Sequence, residues 1–261
     1  MAQESAACPC AMQTQTFESF DGTPIAWREM GEGRPVVLIH GYFSDANTNW
    51  IKYGTTAKLV DAGFRVIMPD LRAHGESGKP HGSEAYPPDA LAMDAEGFIA
   101  HLGLTDYDLG GYSLGARTTV RVLARGIAPR PRRVVLSGLG DEGVVDTGRR
   151  AGFFRRVLTN FGSFKHGDKE FMSQAFLKTT GGDPVALLGI LDTFVDTPEA
   201  DVAAFDLPVL VVGGAADDEV GSFEGLVAML PQGRFVEIPG NHMSAVTRAE
   251  LGDAIVSFLT A

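Results

Sequence analysis

The sequence predicts an α/β fold, a mostly parallel sheet with helices on both faces. Two observations predict it. First, short continuous apolar runs alternate with longer amphipathic stretches along most of the 261 residues. That is the pattern of strands buried on both faces and joined by helical crossovers. Second, the chain is long enough for one large domain with a substantial core. Its 44% hydrophobic and 21% charged residues are ordinary for a globular protein.

Taken in order, residues 1–13 are expected to form a flexible N-terminal tail. The chain's two cysteines, Cys8 and Cys10, flank Pro9 there. They are too few and too close for a disulfide framework, and two further ligands for a zinc site are missing. The tail lacks a basic start followed by an apolar run, and no stretch is long and apolar enough to span a bilayer. The expected location is therefore cytoplasmic. Residues 16–20 and 25–29 flank Asp21-Gly22-Thr23-Pro24, a turn signal, and predict an opening hairpin. Strands are predicted at 36–39, 65–68, 108–112, 134–136, 209–212 and 235–238. Between them, helices are predicted at 51–62, 89–102, 114–125, 223–230 and 248–259.

One region breaks the alternation. Residues 141–205 contain no clear strand but two aromatic, helix-like segments. Phe153, Phe154, Val157, Leu158 and Phe161 fall on one face at helical spacing, and Phe171, Ala175 and Phe176 form a similar group. A helical cap over 141–205 is expected, inserted into a core made of 14–140 and 206–261. Part of its apolar face packs on the core. Phe153, Phe154 and Phe161 are the candidates to line a substrate pocket. The formal net charge of −11 argues against nucleic acid or an anionic membrane as partner, because both demand clustered Lys and Arg.

Gly111-Tyr112-Ser113-Leu114-Gly115 fits G-x-S-x-G between an apolar strand and a helix-like stretch. A turn this sharp excludes side chains at its flanking glycines and lifts the serine hydroxyl clear of the sheet edge. The helix that follows points its N-terminus at the site, where negative charge will develop. Three further segments accompany it: Leu38-Ile39-His40-Gly41-Tyr42, Asp70-Leu71-Arg72-Ala73-His74-Gly75-Glu76-Ser77, and the strand from Pro208 to Asp217. With these motifs in this order, the chain from about residue 16 to 259 resembles the α/β-hydrolase superfamily.

The resemblance implies a serine hydrolase with Ser113 as nucleophile. A serine needs a neighbouring base, and His242, in Pro239-Gly240-Asn241-His242-Met243, stands where the family keeps it, after the last strand. By the same analogy His40 and His74 are structural. His81, His101 and His166 have no motif around them and are expected at the surface. The acid that orients the base falls on Asp217, with its neighbour Asp218 and the earlier Asp141 as alternatives. The oxyanion donors are expected to be the backbone N–H groups of Tyr42 and Leu114.

The implied reaction is cleavage of a carboxylic ester or lactone through an acyl-enzyme. The expected partner is a small molecule with an apolar or aromatic part, and no metal or organic cofactor is called for. Serine at the elbow sets the chain apart from the dehalogenases and epoxide hydrolases of this fold, which carry Asp there. The loop after His40 lacks the Ser-Gly-Pro-Gly run of many C–C bond hydrolases. C–C hydrolysis, perhydrolase-like or amide-cleaving activity, and a small-molecule receptor role stay open as alternatives.

Overall fold

The computed structural model describes residues 13–261. The expected tail, with Cys8 and Cys10, lies outside the described residues apart from Gln13. Eight strands form one sheet: β1 (Gln15–Glu18), β2 (Pro24–Met30), β3 (Arg34–Ile39), β4 (Phe64–Pro69), β5 (Asp108–Tyr112), β6 (Val134–Ser137), β7 (Val209–Gly214) and β8 (Gly233–Ile238). Their spatial order is β1-β2-β4-β3-β5-β6-β7-β8. The β1–β2 hairpin is antiparallel and joins the sheet antiparallel to β4, while every other pairing is parallel. At its turn the Asp21 carboxylate accepts the Thr23 N–H at 3.0 Å in an Asx turn, and Gly22 takes φ +79°.

The outer helices are α1 (Thr55–Asp61), α2 (Ala90–His101), α3 (Leu114–Ala124) and, after a long helical segment, α9 (Phe223–Met229) and α10 (Ala249–Thr260). Strand side chains alternate between two cores. Val37 and Ile39 of β3 and Val209 and Val211 of β7 pack with side chains of α2, α3 and α9. Val36, Leu38, Leu210 and Val212 pack with side chains of α1 and α10 on the other face. Coverage of both faces is why these strands read as unbroken apolar runs rather than alternating ones.

Two expectations are corrected. The single helix over 51–62 is instead a wide helical turn at Asn47–Ile51, then Gly54 at φ +86°, then α1. A left-handed glycine interrupts the apolar periodicity that joined them. The segment between β6 and β7 holds no strand and carries five helices rather than two: α4 (Glu142–Val145), α5 (Ala151–Thr159), α6 (Phe171–Thr180), α7 (Pro184–Ile190) and α8 (Glu199–Val202). The start of α7 was legible as Asp183-Pro184: the Asp183 carboxylate accepts the Val185 and Ala186 N–H groups, and proline occupies the first turn. In α6 the deeply buried residues are Gln174 and Leu177, while Phe171, Ala175 and Phe176 are half-buried.

Candidate active site

Ser113 sits between the end of β5 and the start of α3 with φ +54° and ψ −111°, a conformation that costs about 1–3 kcal/mol and persists only where its surroundings enforce it. The flanking glycines show how. A Cβ on Gly111 would fall on the backbone of Gly115, and a Cβ on Gly115 would fall on the Ile39 carbonyl of the neighbouring strand. Neither backbone has room to retreat, so helix and strands can approach this closely only through hydrogen.

The Ser113 Oγ lies 2.9 Å from His242 Nε2, and His242 Nδ1 lies 2.8 Å from Asp217 Oδ2. The Asp217 side chain is fully buried and that of His242 nearly so. Ser113 and His242, 129 residues apart, thus meet with Asp217, 25 residues from His242, beyond the carboxyl ends of β5, β7 and β8. The Glu219 N–H donates to the other Asp217 oxygen at 3.2 Å. The Tyr112 hydroxyl donates to the His242 carbonyl at 2.7 Å, which fixes the loop that carries the imidazole. Asp218 is exposed, and Asp141 accepts the Glu142 and Ser222 N–H groups at 2.7 Å each, so its carboxylate is engaged away from His242. His81, His101 and His166 are all exposed.

The Tyr42 and Leu114 N–H groups donate to no other protein group among the described residues. Gly41 brings their two segments together: a Cβ there would stand 3.3 Å from the Tyr112 carbonyl, and its N–H donates to Asn49 Oδ1 at 3.0 Å. Phe43, just beyond, takes φ +62°. The Tyr42 hydroxyl donates to the Leu187 carbonyl of α7 at 2.6 Å.

A cleft open to solvent runs from Ser113 between α3 and the helical segment, with Tyr42, Leu114, Leu139, Phe154, Phe194 and Val220 among its apolar lining. Of the three phenylalanines expected to line it, Phe154 does, its ring edge-on to Tyr42 at 5.0 Å. Phe153 packs against Phe154 at 5.5 Å instead, and Phe161 sits beneath the Lys178 ammonium at 5.8 Å. The helical turn carries only one of these rings over the serine. Two lining residues had no motif to announce them. Phe194 follows a short turn without helical period, and Arg117 lies one turn into α3 in what reads as an ordinary amphipathic stretch. Among the described residues no cluster of three or more His, Cys, Asp or Glu side chains is placed to hold a metal ion. No helix among them is long and apolar enough to cross a membrane.

Comparison with known proteins identifies the family of the fold. A family model described as the alpha/beta hydrolase family matches residues 36–254. The chain belongs to the α/β hydrolase family. A non-heme haloperoxidase from Rhodococcus erythropolis is 30% identical to this α/β hydrolase over 275 aligned positions, covering 92% of this chain and 97% of that protein. Among solved structures, a thermophilic esterase from Thermogutta terrifontis superposes with a TM-score of 0.77 at 25% identity, over 95% of this chain and 98% of the other. An esterase from Rhodococcus sp. ECU1013 superposes with a TM-score of 0.74 at 26% identity, over 96% and 99%.

In this α/β hydrolase the second signature segment is a brace for the loop that follows β3. The Asp70 carboxylate accepts the Ala46 and Glu76 N–H groups at 2.8 and 2.9 Å. The fully buried Arg72 guanidinium is gripped by Asp94 at 2.6 and 2.7 Å and by Asp21 at 2.9 Å. His40 accepts the Leu71 N–H on Nε2 at 2.9 Å and donates from Nδ1 to the Gly41 carbonyl at 2.8 Å. Burial holds His40 below the usual imidazole range and His74 well below it.

Proposed function

We propose that this α/β hydrolase cleaves a carboxylic ester or lactone by acyl transfer through Ser113, with His242 as base and Asp217 as the acid that orients it. The observation that carries this reading is the unbroken hydrogen-bonded line of Asp217, His242 and Ser113, at 2.8 and 2.9 Å. As Ser113 Oγ bonds to the substrate carbonyl carbon, its proton passes to His242 Nε2 and the carbonyl electron pair moves onto oxygen. That oxygen is received by the Tyr42 and Leu114 N–H groups, each donor typically worth ~3 kcal/mol of barrier. Collapse breaks the bond to the leaving alcohol, which takes the proton from His242. Water then gives a proton to the same nitrogen and attacks the acyl carbon. The second collapse releases the acid and returns the proton to Ser113. In a lactone the leaving alcohol stays within the same molecule.

The segment 141–205 acts in this reading as a cap. Its Phe154 and Phe194 offer apolar surface to an aromatic or aliphatic part of the substrate. The test is a panel of p-nitrophenyl esters and lactones of graded size, run beside Ser113→Ala. Turnover that disappears in the variant, together with a phosphonate label on Ser113, is the expected result. A label on another residue overturns the assignment, and tight ligand binding without turnover favours a receptor.

The haloperoxidase relative favours one second reading, perhydrolysis, in which hydrogen peroxide replaces water in attacking the acyl-enzyme and a peracid leaves. Bromide oxidation that requires both a carboxylic acid and peroxide, and is lost in Ser113→Ala, separates it from simple hydrolysis.

A further inference from the structure

Arg117 stands on α3 one turn beyond Ser113, its N–H donating to the Ser113 carbonyl at 2.9 Å, and its side chain lines the same cleft. Its Nε donates to the Gly143 carbonyl at 3.1 Å, and the guanidinium lies over the Phe194 ring at 4.3 Å. Its Nη1 is buried and has no hydrogen-bond partner. Among the described residues no carboxylate comes within ion-pair distance of it, whereas the fully buried Arg72 has two. Burial of a cation without a counter-charge is unfavourable. That burial, aided by repulsion from Arg150, pushes the Arg117 pKa down to about 10.

The other charges of the cleft do not answer this need. Glu142 pairs with Arg149 and Glu219 with Arg150, and both carboxylates are 42% exposed. Asp146 is exposed as well, so water screens the cleft's carboxylates, while Arg117 is half-buried and its Nη1 is shut off from solvent. Asp196, the carboxylate whose field reaches Arg117, is held by the Thr147 N–H and hydroxyl at 2.8 and 2.6 Å.

We propose that the Ser113 cleft takes substrates that carry a free carboxylate beside an apolar group, and that Arg117 binds the carboxylate while Phe154 and Phe194 take the apolar part. A guanidinium presents paired N–H donors that match a carboxylate, and its position one turn from the nucleophile puts the anion on the same side of α3 as the reacting carbonyl. The proposal rests on the reading of Ser113 as nucleophile for its catalytic arm, but not for its binding arm.

The test has both arms. In the first, kcat/KM is measured for p-nitrophenyl hydrogen glutarate and its uncharged counterpart, p-nitrophenyl pentanoate. The expected result is a preference for the charged ester of about tenfold or more. The preference disappears in Arg117→Gln and is partly restored in Arg117→Lys. In the second, binding of phenylacetate and of phenylacetamide to full-length Ser113→Ala is followed by calorimetry, with and without Arg117→Gln. Phenylacetate is expected to bind at least about tenfold more tightly, and only while Arg117 is present.

Equal handling of charged and neutral probes by the unmodified cleft overturns the proposal, as does a preference that survives Arg117→Gln. If Arg117→Gln does not fold, the charged-to-neutral ratio of the native cleft and of Arg117→Lys decides alone. Arg117-dependent binding of phenylacetate with no ester turnover in the native chain upholds the carboxylate site and sinks the acyl-transfer reading instead.

Discussion

At the scale of single residues, the chemistry rests on side chains that are held rather than merely near. Ser113→Ala is expected to cut ester turnover by on the order of 10³-fold or more while leaving the fold intact, read by steady-state kinetics beside circular dichroism. Asp217→Asn keeps the shape of the site but removes the charge and hydrogen-bond polarity that fix the His242 tautomer, so kcat is expected to fall by roughly 10³–10⁴-fold with little change in KM. Tyr112→Phe removes one hydrogen bond, from its hydroxyl to the His242 carbonyl. It is expected to cost about 1 kcal/mol in urea unfolding and to lower kcat more than it raises KM, since it loosens the base without touching the cleft wall. The meeting of Ser113, His242 and Asp217 could be anticipated because each stands where the α/β-hydrolase motifs place it, with Asp218 and Asp141 as alternatives to Asp217. Arg117 and Phe194 could not be anticipated. A helical arginine reads the same whether it faces water or a cleft, and only the packing of Phe194 and Gly143 around it decides.

At the scale of elements, the elbow is a meeting of β3, β5 and α3 that no side chain can enter. Gly115→Ala drives a methyl group into the Ile39 carbonyl and is expected to destabilise the chain by about 4 kcal/mol or more, the range of severe backbone or packing clashes. Gly103 offers the comparison. It takes φ +61° with open space where a Cβ would go, so Gly103→Ala is expected to cost only about 1–2 kcal/mol, the penalty for a left-handed alanine. Denaturant midpoints of the two variants separate collision from conformational preference. Six of the strands could be read from apolar runs, and β1 and β2 from the turn signal between them. The helical segment was legible in kind but not in number, because α4 and α8 are single turns of four residues, too short to show a period. The break at Gly54 was hidden by apolar residues that continue on both sides of it.

At the scale of the whole molecule, stability depends on histidines kept neutral. Burial depresses His40 and, more strongly, His74 below the ordinary value of 6.5. The unfolded chain therefore binds protons at these sites at a pH where the folded chain does not. Their contribution is complete above about pH 6.5 and declines as pH falls toward the folded values, by up to about 1.4 kcal/mol per pH unit for each histidine. Unfolding free energies between pH 7.5 and 5 are expected to show this slope, and His74→Asn is expected to flatten it even though the variant is less stable overall. An unchanged slope in that variant would mean that carboxylates, not these imidazoles, govern acid sensitivity. The hydrogen bond from the Tyr42 hydroxyl to the Leu187 carbonyl has a mechanical consequence of its own. Tyr42, whose amide would receive the reacting oxygen in the proposed reaction, is also the latch on α7. Any swing of that helix beyond a hydrogen bond's reach must either break the latch or drag the amide with it. Helix and proposed oxyanion donor share one hinge pin, so a displacement of α7 would, in the second case, disarm the proposed reaction.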